Sequence, residues 1–205
     1  MLIFATACVL LVRVDASAQR RAAAVQTRVV KGQVLTSTYL PAIRVRFDRR
    51  FRYVGSQKFV LYERAQAEQH FFVDADARRR IRRMYMLQFE GYLPGVDATY
   101  SYEARETVRL GGEEYIVNAE SVPNVGAVLT QQPQSDAARA VEFLKGKGYS
   151  MGESVRFQRF VRLVDESKRS EFIMLYIEDA GASQADEKSM REFRERALKG
   201  FAILK

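Results

Sequence analysis

The feature that most constrains the fold of this chain is a two-residue alternation of apolar and charged side chains. Ile43, Val45 and Phe47 alternate with arginines, which is the pattern of a strand with one buried face. Other segments are rich in the aromatic and β-branched residues that favour strands, and they lie at 57–63, 68–73, 81–93 and 172–178. The chain is therefore expected to be mainly β-structure.

Two glycines mark the clearest turn in the sequence. Gly111 and Gly112 separate the strand-like segments 107–110 and 114–117, and a Gly-Gly pair tolerates the positive φ angles of a two-residue hairpin. Residues 74–77, Asp-Ala-Asp-Ala, predict another hairpin turn, because Asp side chains hydrogen-bond to nearby backbone. Strands joined by such turns pair in the antiparallel sense.

Helical periodicity occurs in two segments, 135–147 and 185–203. Ser135 is a suitable N-cap for the first helix, and the lysines and glycines at 145–148 end it. The second helix has one apolar face, made by Met190, Phe193, Ala197 and Phe201.

The segment 155–164 fits either a strand or a helix, and the polar link at 165–169 favours a strand. The order of elements is then many strands, a helix, two strands and a final helix. This order predicts an α+β fold with a predominantly antiparallel sheet, in which both helices pack on one face. Residues 38–205 are expected to form one domain of this kind.

The N-terminus has the pattern of a secretory signal peptide. Residues 2–12 are apolar except for Thr6, and an Ala-Ser-Ala cleavage site ends at Ala18. We expect residues 1–18 to be removed, so that the mature chain begins at Gln19 and is periplasmic or secreted.

Other interpretations of this terminus are less suitable. A transmembrane anchor needs about 20 apolar residues, and this run is shorter. A lipoprotein would use Cys8, which leaves almost no apolar run before the cysteine, and a buried first strand is a further alternative. Residues 19–37 are polar and Ala-rich, and they predict a flexible arm or a short helix that leads into the domain.

Cysteine and histidine usage limits the chemistry of the chain. Cys8 is the only cysteine among 205 residues, so the mature chain can form no disulfide and no thiolate metal site. The single histidine, His70, cannot form a histidine-rich metal site. The sequence lacks the phosphate-loop, dinucleotide-binding, HExxH and CxxC motifs. We therefore expect no metal and no cofactor.

Three short patterns were compared with known catalytic or calcium sites. Residues 148–152 match G-x-S-x-G, but a helix precedes them and His70 lies upstream, contrary to the hydrolase arrangement. His70 lies beside likely core residues, and a strand-surface or partly buried histidine is expected there instead of a general base. Asp74 and Asp76 could bind calcium, but arginines follow them instead of further oxygen ligands. No catalytic residue is assigned.

Arginine dominates the charge of the chain, which has a formal net charge of +8 at pH 7. Arginines crowd two segments, 44–52 and 78–83. If these segments meet in space, they form a patch that can hold phosphate or carboxylate groups bidentately. The alternative is a solvated strand edge whose charges prevent aggregation between sheets. For an exported chain, an anionic envelope component is a more suitable partner than nucleic acid.

Two charged residues lie in otherwise apolar strands. Glu90 follows the run 84–89, which is apolar on both faces, and Arg159 interrupts the apolar face of 155–164. Because burying an unpaired carboxylate is costly, Glu90 and Arg159 are predicted to pair or to hold a polar ligand between them. The alternative is that both side chains point to solvent.

These features together favour an exported, non-catalytic binding protein for an anionic or amphipathic ligand, such as a lipid or an envelope glycan. The candidate ligand-binding residues are Arg44, Arg46, Arg52, Arg82, Glu90 and Arg159. One alternative is an adaptor that docks on an envelope protein complex through a basic face. Another is a small cofactor-free hydrolase that uses carboxylates or His70. No transmembrane segment is expected after processing.

Overall fold

Eleven strands and three helices form the described part of the chain, which comprises residues 27–103, 106–181 and 186–204 of a computed structural model. The helices are α1 (Val125–Gln131), α2 (Asp136–Gly146) and α3 (Glu187–Lys199). The strands are β1 (Arg28–Lys31), β2 (Val34–Thr38), β3 (Ala42–Phe47), β4 (Arg52–Leu61), β5 (Ala65–Ala75), β6 (Ile81–Tyr92), β7 (Thr107–Leu110), β8 (Glu113–Val122), β9 (Val155–Leu163), β10 (Ser170–Asp179) and β11 (Phe201–Leu204).

The strands form two sheets in which every pairing is antiparallel, and this confirms the predicted α+β fold class. The large sheet has the order β4-β5-β6-β10-β9-β8-β7, and the small sheet has the order β1-β2-β3-β11. After β6 the chain crosses to the far edge at β7 and returns inward through β8 and β9. The centre of the large sheet is therefore made by β6 and β10, which are distant in the sequence.

The large sheet is buried on both faces. On β6, Tyr85, Leu87 and Phe89 face the small sheet and α3, and we call this the sandwich face. Met84 and Met86 alternate with them and pack with α2, and we call this the helical face. A strand that is apolar on both sides needs a cover on each.

The two predicted helices consequently pack on opposite faces of the large sheet, which corrects the expectation that they share one face. Leu144 of α2 belongs to the core of the helical face. Phe193 of α3 lies on the sandwich face, where its ring centroid is 5.4 Å from that of Tyr176. Each helix covers one apolar side of the central strands, because neither side can be left in water without a free-energy cost.

The last helix ends earlier than its periodicity predicted. Residues Phe201–Leu204 form β11, which pairs with β3 and places Phe201 opposite Phe47. Gly200 separates helix from strand, and it lies so close to Tyr85 that a Cβ atom there would overlap the tyrosine side chain. Phe201 therefore packs against the same core from a strand, not from a helix.

The segment 19–37 was predicted as a flexible arm or a short helix, and this is wrong from residue 28 onward. Strands β1 and β2 form a hairpin there, and Leu35 is fully buried in the core. β2 pairs with β3, so the alternation recognised at 43–47 extends to a neighbouring strand with weaker sequence signals. The predicted signal peptide at 1–18, and residues 19–26, lie outside the described residues.

Several local expectations are confirmed. Gly111 and Gly112 have φ angles of 61° and 95° in the hairpin between β7 and β8. The ambiguous segment forms strand β9, and the Ser135 side chain caps α2 by accepting from Ala138 N–H. Asp76 makes the predicted turn by accepting from backbone N–H groups. In the described ranges, no helix is long and apolar enough to cross a membrane.

Candidate functional site

An apolar cavity of about 240 Å³ lies between the helical face of the large sheet and helices α1 and α2. Its apolar lining includes Met84, Met86 and Leu175 from the sheet, and Val128, Leu129 and Ala140 from the helices. Among the described residues that line it, Asp136 and Arg159 are the charged ones. A concave, mainly apolar site with a few polar groups has the general character of a small-molecule pocket.

Helix α1 forms a loosely packed lid over this cavity. None of its residues is buried, although Val125, Val128 and Leu129 line the cavity. A backbone hydrogen bond from Val125 N–H to Glu153 O, of 2.8 Å, holds its first turn. A segment with so few buried contacts can open locally at a small free-energy cost, which provides a route into the cavity.

Arg159 lines the cavity and has open hydrogen-bond donors. It lies on β9 opposite Leu175, and its Nε donates to Asn118 Oδ1 at 2.8 Å. Its guanidinium carbon is 5.6 Å from the centroid of the Tyr102 ring. Within the described residues, its Nη groups donate no hydrogen bond and form no ion pair. These donors are therefore available to an acceptor in the cavity.

A pair of buried carboxyl groups lies beside this end of the cavity. Glu171 of β10 is directly opposite Glu90 of β6. Glu90 accepts hydrogen bonds from Tyr100 Oη at 2.9 Å and from Gln88 Nε2 at 2.6 Å, and Glu171 accepts one from Tyr102 Oη. The residues that follow β6 thus supply two tyrosines that cover the pair.

Burial keeps this pair protonated at higher pH than an exposed carboxyl. It raises the pKa of Glu171 from an ordinary 4.5 to about 7, although the hydrogen bond from Tyr102 and the charge of Arg159 oppose the rise. Burial also raises the pKa of Glu90, and hydrogen bonds from Tyr100 and Gln88 partly offset it. Each carboxylate also disfavours ionisation of the other, so the pair retains a proton close to neutral pH.

A row of side-chain amides, of which Gln69 and Gln88 are fully buried, connects the carboxyl pair to helix α2. Gln57 donates to Gln69, and Gln69 donates to Gln88, each at 2.7 Å between heavy atoms. Gln69 Nε2 also donates to the backbone oxygen of Asp136 at 3.1 Å, and Gln88 Nε2 to its Oδ2 at 3.3 Å. Buried amides need such partners, and the row thereby fixes the N-terminus of α2 and the position of Asp136.

The structure brings two of the six predicted site residues, Glu90 and Arg159, to the helical face. They do not pair with each other, because each has the other partners described above. Glu171, which sequence reasoning missed, interacts electrostatically with both. Its position at the start of an apolar run was visible in the sequence, but its pairing with Glu90 depends on strand register.

Arg52 and Arg82 lie in a different place, an exposed groove of about 500 Å³ that Arg50 and Arg79 also line. The two arginine-rich segments do therefore meet in space. Arg82 is already paired with the buried Asp74, with 2.7 Å between Nη2 and Oδ1.

Arg44 and Arg46 lie on exposed positions of β3, in the small sheet. They alternate with the buried Ile43, Val45 and Phe47. The predicted arginine set is thus divided among the cavity, the groove and the small sheet.

His70 is held within the core between the two sheets. It is 3% exposed, its Nε2 is 2.9 Å from Glu68 Oε1, and its Nδ1 is 3.2 Å from Tyr53 Oη. Burial alone would raise the pKa of Glu68, but the His70 hydrogen bond and the Arg28 charge lower it to about 2. This cluster therefore stabilises the sandwich face and presents no free ring nitrogen.

The other predicted motifs have structural roles. Ser150, in the G-x-S-x-G match, forms an isolated backbone β-bridge with Arg80, immediately before β6. His70 lies elsewhere in the sheet, opposite Leu87 of β6. Across the described parts of the chain, no group of three or more His, Cys, Asp or Glu side chains is arranged to hold a metal.

Comparisons of this chain with protein-family models, with curated proteins and with solved structures find no match.

Proposed function

We propose that this chain is an exported, non-catalytic binding protein that holds an amphipathic ligand in the cavity beneath α1. The observation that carries this proposal is an apolar cavity with a cationic group, Arg159, whose terminal donors are open. Apolar side chains gain dispersion contacts when the space between them is filled, so an apolar ligand would improve the packing of the lid.

The cavity volume determines how much of a ligand the cavity can enclose. About 240 Å³ corresponds to roughly eight water-sized groups at about 30 Å³ each. A short aliphatic chain or one compact ring fits this space, and a long lipid chain would have to leave it through the lid. At about 0.8 kcal/mol per buried methylene, a chain of this length gains several kcal/mol before the costs of association.

A cavity-filling substitution tests the proposal. Val128→Phe places an aromatic ring into the cavity from the lid, and Ala127→Phe on the exposed side of the same helix is its matched control. We expect octan-1-ol to bind the natural protein in isothermal titration calorimetry. Val128→Phe should abolish this binding, and Ala127→Phe should preserve it. Absence of binding to the natural protein, or equal binding by both variants, would contradict the proposal.

Export is supported by the signal-like pattern of residues 1–18. The mass of the protein purified from its own host tests it. A chain that begins at Gln19 in an extracytoplasmic fraction is expected, and an unprocessed chain confined to the cytoplasm would contradict export.

The groove lined by Arg50, Arg52, Arg79 and Arg82 supports a second candidate function, an adaptor for an acidic partner. Closely spaced guanidinium groups suit carboxylate-rich protein surfaces. Binding of poly-glutamate at low salt should weaken severalfold in an Arg52→Gln/Arg79→Gln variant. The matched variant Arg44→Gln/Arg46→Gln, in the small sheet, should bind as before. Equal losses of poly-glutamate affinity in both double variants would show that binding depends only on the net charge of the protein, and would contradict a specific role of the groove.

The hydrolase alternative receives no comparable support. Its proposed base, His70, has both ring nitrogens within hydrogen-bond distance of Glu68 and Tyr53. Glu90 is covered by Tyr100 and lies outside the cavity lining.

A further inference from the structure

Resting on the proposed function, we infer that the ligand is an aliphatic carboxylic acid of about eight carbons, whose carboxylate binds the Nη groups of Arg159. The cavity accommodates the chain, and the arginine determines the headgroup.

The arginine is held in place for this contact. Asn118 accepts from its Nε at 2.8 Å, and the centroid of the Tyr102 ring lies 5.6 Å from its guanidinium carbon, so two neighbours restrict the position of the guanidinium. Because Nε is bonded to Asn118, the two Nη groups remain for other acceptors. A carboxylate matches these two groups with two parallel hydrogen bonds.

Among the described residues, the carboxyl groups near Arg159 form no direct ion pair with it. Glu171 accepts a hydrogen bond from Tyr102 Oη and lies opposite Glu90, and neither carboxyl group lines the cavity. Asp136 does line it, but its oxygens accept from Gln88 Nε2 at 3.3 Å and from Ala137 N–H at 2.8 Å. Arg159 is half-buried, so a ligand carboxylate beside it would make a charge-assisted contact that is partly shielded from solvent.

Asp136 also distinguishes among headgroups. Its charge repels a second negative charge in the cavity, so a singly charged carboxylate is favoured over a doubly charged phosphate ester. It would attract an ammonium group, which Arg159 would repel. The open donors belong to Arg159, whereas the Asp136 oxygens already have partners, and this favours the carboxylate.

Three probes with the same chain test this assignment: octanoate, octan-1-ol and octylammonium. Titration calorimetry at pH 7 should show octanoate binding at least tenfold more tightly than octan-1-ol. Arg159→Met should remove this advantage and leave octan-1-ol binding intact, which also shows that the variant keeps its fold and cavity. Asp136→Asn should strengthen octanoate binding severalfold, because it removes a repulsive charge.

Arg162→Met is the matched control, since Arg162 lies on the same strand but pairs with Glu113 at 3.0 Å. It should leave all three affinities unchanged. Octan-1-ol binding without an octanoate advantage, or an advantage that survives Arg159→Met, would overturn the headgroup inference and leave the proposed function standing. Tighter binding of octylammonium would also overturn it. Failure of all three probes to bind would overturn both.

Discussion

Replacing Glu171 with glutamine is expected to stabilise the protein at pH 8 and to leave its stability at pH 4.5 nearly unchanged. In the folded protein, burial raises the pKa of Glu171 from 4.5 to about 7. Between these values the folded carboxyl keeps its proton, whereas the unfolded one releases it. Because the folded state then binds more protons, the free energy of unfolding falls as pH rises through this interval and is level above it.

The gap between 4.5 and about 7 corresponds to about 3 kcal/mol, at about 1.4 kcal/mol per pKa unit. The buried position of Glu171, 3% exposed, leaves little solvent screening to reduce this figure. Glutamine removes the charge and keeps an oxygen that can accept from Tyr102 Oη. We therefore expect a gain of about 2–3 kcal/mol at pH 8, equivalent to roughly 4–12 °C in Tm for a domain of this size.

Urea unfolding of the natural protein and of Glu171→Gln, at several pH values from 4.5 to 8, measures this effect. Glu142→Gln on the exposed surface of α2 is the control, and it should follow the natural curve. The reasoning is refuted if the difference between Glu171→Gln and the natural protein is the same at pH 4.5 and pH 8. It is also refuted if the variant is less stable at pH 8.

Three further changes test other parts of the structure. Glu68→Gln should lower the free energy of unfolding at pH 7 by about 3 kcal/mol, because the pKa of Glu68 is lowered from 4.5 to about 2 in the folded protein. This contribution is lost as pH falls through that interval. Equal unfolding curves of the variant and the natural protein at pH 7 would contradict it. Gly200→Ala should cost about 1–3 kcal/mol by overlap with Tyr85, whereas Gly146→Ala, with open space around it, should be neutral or stabilising in thermal unfolding. Tyr85→Phe should lower the free energy of unfolding by about 1 kcal/mol or more in the same measurement, because the Tyr85 hydroxyl donates to Ala197 O at 2.7 Å. An unchanged stability would show that this hydrogen bond does not stabilise the docking of α3.

Some unusual residues can be recognised from their near neighbours in the sequence. The charges of Glu90 and Arg159 were recognised as unusual because each interrupts an apolar strand pattern. The structure places both on the helical face, next to or within the lining of one cavity. Their predicted direct pairing was not found, because the registers of β6, β10 and β9 bring Glu171 and Asn118 closer to them.

The cavity itself could not be predicted from the chain. It arises where α1 and α2 face the large sheet, and α1 carries only seven residues with no buried side chain. Such a short helix has a weak periodic signal, and nothing local indicates which strands it covers.

The sequence by itself determined the α+β class, the hairpin at Gly111 and Gly112, the limits of α2 and the doubly apolar character of β6. These properties depend on backbone preferences and side-chain periods within a few residues. The tertiary structure alone decided that α2 and α3 lie on opposite faces, that Glu171 is opposite Glu90, and that Arg159 keeps open donors in an apolar wall. These relations join segments that lie from about 40 to about 80 residues apart in sequence. They are determined by which packing buries the most apolar surface while satisfying the buried polar groups, and not by local preference.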